Sequence, residues 1–383
     1  MLYTSFRPAM RMISTLIIVI ALNAGSVSMA DHQDVHEWAF DVPRRMLAED
    51  HHFEFELGYT LIFQAATHTV GDNADTLTSG SYDLAGVWTP LMTDYGNGSV
   101  GFHVEGGHIL DRDHNEDLSA NIGSILGVRD DLDNQEVALT ELWWAWAVNE
   151  DALVFTIGKI DPTAYFDTNR IANDETTQFL STPLVNNVAV PFPDYGLGAV
   201  AEMHFTDWLY VSLGATDALA DGRETGFNTV GDDWFYAGEV GLLVDCGGRE
   251  GIYRLTVWGV DTEEESDGAG FSLSFDQEVA DHVVPFFRYG QGDKDVTDFR
   301  RSVSGGVGFE GLLGRENDLL AVGVVWADPS EPDLTNETLI EMFYRVEVTD
   351  WLQITPDVQF VIDPAEGDDE MSVVFGLRLQ AIY

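Results

Sequence analysis

The 383-residue chain carries 66 acidic residues against 18 basic ones, a formal net charge of −48, and its mean hydropathy is near neutral at −0.05. So acidic a chain repels phosphate, which excludes nucleic-acid binding and any phosphate-selective role that needs a basic patch. The single cysteine, Cys246, excludes an internal disulfide, while 37 glycines and 11% aromatic residues favour an all-β fold.

The N-terminus reads MLYTSFRPAMRM, with Arg7 and Arg11 and no acid. An apolar run over 13–24 follows, and Ser28-Met29-Ala30 supplies a small-x-small cleavage site. This order predicts a secretory signal peptide over 1–30, too short to span a membrane. A periplasmic segment is expected over 31–51. Loss of Arg7 and Arg11 leaves 16 basic residues against the same 66 acids, and only Lys159 and Lys294 are lysines. The acidic surplus suits solubility or a salty medium.

From residue 52 onward the dominant period is two. In HHFEFELGYTLIFQ, Phe53, Phe55, Leu57, Tyr59, Leu61 and Phe63 share one face, and Glu54, Glu56, Thr60 and Gln64 the other. In IEMFYRVEV, Ile340, Met342, Tyr344, Val346 and Val348 oppose Glu341, Arg345 and Glu347. Each such stretch is a strand signal. Sixteen are predicted, near 52–64, 81–89, 99–108, 135–147, 152–160, 195–205, 208–217, 233–245, 251–260, 270–279, 282–291, 301–311, 318–327, 338–348, 351–362 and 371–383.

The connections alternate in length. Those after each second strand are short: PLMTDYGNG, NED, TD, CGGRE, AD, LLGREN and TD. The others include 109–134, 161–194, 218–232, 292–300 and 328–337, which are longer and acidic. Short–long alternation over an even number of roughly ten-residue strands predicts a closed, antiparallel, transmembrane β-barrel of 16 strands over 52–383. The last stretch, MSVVFGLRLQAIY, then pairs with the first, so that no sheet edge meets hydrocarbon. Its apolar face meets lipid, Arg378 and Gln380 face the lumen, and Tyr383, Trp208 and Trp351 lie at the periplasmic aromatic girdle.

Residues 141–196 read ELWWAWAVNEDALVFTIGKIDPTAYFDTNRIANDETTQFLSTPLVNNVAVPFPDYG. The ELWW strand, the GKIDP turn, FDTN and QFL resemble the OprB-type carbohydrate-selective porins. The resemblance continues through FFRYGQGDKD (286–295), GFEGLLGREND (308–318), EMFYRVEVTDWLQITPDVQFVIDP (341–364) and the terminal GLRL. It implies a 16-stranded outer-membrane channel for passive diffusion of sugars, with no enzyme activity and no bound cofactor.

The long connection 161–194 contains Tyr165, Phe166, Ile171, Phe179, Leu180, Leu184 and Val185, which argues for packing. It is expected to fold into the lumen and narrow it. Asp161, Asp167, Asn169 and Arg170 then either face permeating solute or pin the loop to the wall. Candidate lumen groups on the polar sides of strands are Glu141, Arg254, Arg288, Glu310, Glu341, Arg345, Asp357, Gln359 and Arg378. Outward placement of arginine would cost roughly 2–4 kcal/mol at mid-bilayer. Carboxylates, amides and guanidinium groups suit sugar hydroxyls, and equally they neutralise one another and order the wall. Trp144 and Trp146 share a face with Leu142 and meet lipid, whereas Trp143 shares the face of Glu141 and is a candidate stacking platform.

DRDHNED (111–117) lacks the sixth-position glycine and twelfth-position acid of a calcium loop, and RDDLDN and DTEEESD read as solvated acidic tips. No His/Glu spacing reads as a zinc site, so no metal is expected. The chain is thus read as an exported outer-membrane porin for small hydrophilic solutes, mono- or oligosaccharides first. The partners are permeating sugars and lipid, with a homotrimer allowed and no nucleic acid. The alternatives are a general cation-leaning porin, for which the acidity argues, and a secreted β-rich sugar-binding protein.

Overall fold

The computed structural model describes residues 41–383 apart from 72, 111–116, 131–134, 150, 228, 232, 263–265 and 368–369. The expected leader, the start of the 31–51 segment and the cores of the three acidic tips lie outside the described residues. Among the described residues, sixteen strands form. The first eight are β1 (Phe53–Ala66), β2 (Thr76–Thr93), β3 (Gly96–Ile109), β4 (Ala138–Val148), β5 (Leu153–Ile160), β6 (Gly196–Thr206), β7 (Leu209–Asp217) and β8 (Trp234–Asp245). The second eight are β9 (Glu250–Asp261), β10 (Gly268–Gln277), β11 (Val283–Gly292), β12 (Phe299–Glu310), β13 (Leu319–Pro329), β14 (Glu337–Thr349), β15 (Leu352–Ile362) and β16 (Met371–Ile382).

Each strand pairs antiparallel with its sequence neighbours, and β1 pairs with β16 to close the barrel. Closure reaches the last residue, since Leu57 and Tyr383 exchange both backbone N–H···O bonds at 2.8 Å. Every ladder therefore has a partner, which is what a spanning sheet needs where no water is available. The outward faces are apolar as the alternation requires: Leu57, Phe63, Val257, Met342, Phe375 and Leu377 are exposed. Between the last two and Leu379, Arg378 points inward and is fully buried.

The two ends differ. One carries tight turns at 94–95, 207–208 and 350–351, and the short connections 149–152, 246–249, 278–282 and 311–318. The other carries 110–137, 161–195 and 218–233 together with five shorter loops. A helix over Asp41–His51 lies against β1 at the short-turn end, with the Arg44 guanidinium 5.8 Å from the centre of the Tyr383 ring.

The second strand departs most from the sequence reading, running over 76–93 instead of 81–89. Leu77 and Ser79 continue its inward face, and a register shift between Trp88 and Leu91 absorbs Pro90, which has no N–H to give the ladder. What reads as a nine-residue loop is thus mostly strand. The fourth strand starts at Ala138, three residues later than the period suggests.

Candidate functional site

The lumen is not lined by polar groups alone. Buried apolar residues from the inward faces of β11 to β16, among them Phe286, Val325, Leu339, Phe343, Val361 and Val374, form one cluster with Leu118, Leu126, Phe179 and Leu184 from the two long connections. A second cluster joins Val87, Trp143, Val200 and Phe235 of the wall to Phe166 and Val190. Connection 161–195 therefore packs against the inside of the barrel. Inward glycines make room for it: a Cβ on Gly214 would lie 2.9 Å from the Phe166 ring, and one on Gly323 the same distance from Leu184.

Polar contacts fix the course of this loop. It leaves β5 through a short 3₁₀ turn over Pro162–Ala164, where Asp161 Oδ1 accepts from the Thr163 amide at 2.8 Å. Burial raises the Asp161 carboxyl pKa against those hydrogen bonds. At Asp167 the backbone turns left-handed (φ 57°) and its amide donates to Glu239 Oε2 of β8 at 2.8 Å. Asn169 Nδ2 donates to Ser274 Oγ of β10 at 3.2 Å. Arg170 makes a two-pronged pair with Glu310 of β12, at 3.0 and 2.6 Å.

Arg288 of β11 is the centre of the loop's anchorage. Its Nη1 donates to the Val185 carbonyl at 2.9 Å, and Nη2 to the Asp167 carbonyl at 2.8 Å and Asn173 Oδ1 at 3.2 Å. Its Nε lies 3.5 Å from Asp167 Oδ2. Burial nevertheless pushes the Asp167 carboxyl up to about 6 against the pull of Arg288. On β14, Glu341 accepts from the amides of Leu180 and Ser181 at 2.5 and 3.0 Å, and Arg345 donates to the Thr177 carbonyl at 3.2 Å. Arg378 donates to the Glu175 carbonyl at 2.5 Å. Gln359 and Gln64 both donate to the Val128 carbonyl of connection 110–137 at 2.9 Å, and Gln359 also donates to Asp357. Arg254 pairs with Asp276 at 2.8 Å inside the wall.

All the strand candidates thus sit on inward positions, as does Trp143. Most direct their hydrogen bonds to loop backbone, an arrangement that costs buried charge unless every donor finds an oxygen. Trp143 corrects the reading of a stacking platform. Its indole is 7% exposed, lies over Gly101 and packs in the second apolar cluster, so neither face is open. Trp144 and Trp146 stack on each other, 6.4 Å between ring centres, on the outward face.

The wall of β1 to β4 carries a different set, of which the sequence reading named only Glu141 as a candidate. Cross-strand register places Glu56, Ala85, His103 and Glu141 in one row, and Gly58, Asp83 and Glu105 in the next. Asp83 and His103 keep 28% and 20% of their side chains exposed. Glu105 accepts from the Tyr195 hydroxyl, at the end of the inserted loop, at 3.1 Å. The signal was present as inward parity in SYDLAGVW and HVEGG, but spacing alone could not bring residues 83 and 103 together.

The family described as carbohydrate-selective porin, OprB, matches the chain over 256–382, from β9 to the end of β16. The match covers about a third of the chain. The OprB structure of Pseudomonas putida, in its high-pH form, superposes with a TM-score of 0.77, covering 93% of this chain and all of that one at 16% identity. At that identity the likeness establishes the fold. An uncharacterized protein of Aquifex aeolicus is 26% identical over 227 residues, 59% of this chain and 63% of that one. Porin AaxA of Chlamydia abortus is 24% identical over 282 residues, 69% of this chain and 62% of that one. The chain thus spans about three fifths of the length of these curated relatives. The family match over 256–382 and the superposition agree on a porin-type β-barrel fold.

Proposed function

We propose that this OprB-type barrel lets small hydrophilic solutes, sugars first among them, diffuse passively across an outer membrane. The long loops then face the cell exterior and the tight turns the periplasm. The reading rests on one observation: the inserted loop is anchored to β8–β16 by Arg288, Glu341, Arg345 and Arg378, opposite the carboxylates and imidazole of β1–β4. Such an insertion, held mainly on that side and touching the β3 wall through Tyr195 and Glu105, narrows a lumen without sealing it. Carboxylates and the two-pronged Arg170–Glu310 pair suit sugar hydroxyls, and weak contacts of this kind permit release. In this scheme Asp161, Arg170 and Glu310 meet solute, while Glu141 is buried in the wall and Asp167, Asn169, Arg288, Glu341, Arg345 and Arg378 hold the loop.

A cation-leaning channel is the second reading. It is favoured by Glu56, Asp83, Glu105 and Glu141 standing on one wall with His103 as the imidazole among them. Planar-bilayer conductance decides between the two. Block by added glucose or maltose, with weak ion selectivity, is expected for sugar passage. Strong cation selectivity with no effect of any sugar would replace it with the second reading.

A further inference from the structure

We propose that Asp83, His103 and Glu105 form a binding site on the lumen wall for a divalent first-row transition-metal ion, with Zn²⁺ the best match. The ligand atoms of these three side chains all lie within 4.8 Å of one another. They come from two adjacent strands, with Asp83 directly opposite Glu105 and His103 two residues along on the same inward face. One imidazole nitrogen with two carboxylates is a donor set that zinc and its neighbours take, leaving further positions for water or solute, whereas magnesium and calcium prefer oxygen alone.

The Asp83–His103 distance fits coordination as well as it fits an ion pair. His103 Nε2 stands 3.4 Å from Asp83 Oδ1. A charge-assisted hydrogen bond would be about 2.7–2.9 Å. Two ligands at about 2.1 Å from a tetrahedral zinc stand roughly 3.4 Å apart. Glu105 Oε2 is 4.0 Å from His103 Nδ1, so the carboxylate has to swing toward the nitrogen that binds. Its outer contact is already in place, because the Tyr195 hydroxyl donates to the same oxygen and the Tyr195 ring meets the His103 ring edge-on. A hydrogen bond of this sort orients a metal-binding carboxylate. Glu141, across the ladder from His103, adds negative charge beside the site. His204 offers a contrast: its Nε2 lies 2.8 Å from Glu202 Oε1, an ordinary hydrogen-bonded pair.

The test uses the full mature barrel, without an affinity tag, in detergent and in planar bilayers. Cobalt(II), a spectroscopic stand-in for zinc, should give visible d–d absorption that zinc displaces. Zn²⁺ on the order of 100 µM should cut single-channel current at least by half, while equimolar Mg²⁺ leaves it unchanged. His103→Gln and Asp83→Asn should each weaken both effects roughly tenfold or more, and His204→Gln should leave both intact. Heat-modifiable gel mobility confirms that each variant is folded. The current readout rests on the porin reading, but the cobalt spectrum does not, so failure of conduction and failure of the site are told apart. A wild-type barrel without cobalt absorption, or spectra and block that survive His103→Gln, would overturn the site.

Discussion

Replacing Arg288 with methionine removes the inserted loop's central anchor while keeping most of the buried volume. The carbonyls of Asp167 and Val185 and the amide oxygen of Asn173 lose their donor together, and the Asp167 carboxylate loses its counter-charge. Arg288 and Asp167 are each 2% exposed, so water does not replace what is lost. Breaking one side of a buried pair costs about 3–5 kcal/mol. At about 1.4 kcal/mol per factor of ten, the undocked loop gains roughly two to three and a half powers of ten in population. Limited trypsin digestion at Arg170 reads this directly, since docking holds that residue against Glu310. Cleavage should speed up at least a hundredfold, and mean conductance should rise as the loop leaves the lumen. Arg288→Lys keeps the charge but not the planar fork, and should fall between. Native cleavage and conductance in a folded Arg288→Met barrel would refute the assigned role.

The same loop should respond to pH. Asp167 is pushed up to about 6 by burial, above its free value of 3.8, so the docked state holds its proton more tightly than the free loop does. Docking therefore strengthens as pH falls through about 6 and weakens above it. Loop-opening events in single-channel records should become rarer between pH 7.5 and 5, and Asp167→Asn should flatten that dependence. On the opposite face, Leu377→Arg puts a charge toward hydrocarbon and should cost roughly 2–4 kcal/mol of barrel stability, measured by urea titration of the folded gel band in lipid. Equal stability of variant and parent would mean that the outward face has been misassigned.

The barrel was legible because period two depends only on near neighbours: in each strand the residues that meet lipid are separated by one residue that does not. The loop lengths then fixed which ends turn back tightly. Legibility failed where contact partners are far apart in sequence. Val325, Phe343, Val361 and Val374 face inward although apolar, because Phe179 and Leu184, more than a hundred residues away, cover them. Inward arginines were recognisable from the price of placing them in lipid, but their partners are backbone carbonyls, which carry no sequence signature. Trp143 shared the parity of Glu141 and yet is closed off by Val190 and Phe166. Asp83, His103 and Glu105 become neighbours only through the register of β2 on β3, which the unrecognised bulge around Pro90 helps to set.

Ring closure between β1 and β16 is most directly tested by a disulfide across the seam. Thr60 and Gln380 are opposite each other at a position between the hydrogen-bonded pairs, where Cβ atoms come closest. In a Cys246→Ala background, Thr60→Cys with Gln380→Cys should oxidise in the folded barrel to near completion. The denatured product should then run faster on a non-reducing gel, as a chain joined near its two ends does. No cross-link at 60/380, with efficient oxidation instead of a pair displaced by two or more residues, would contradict the closed register.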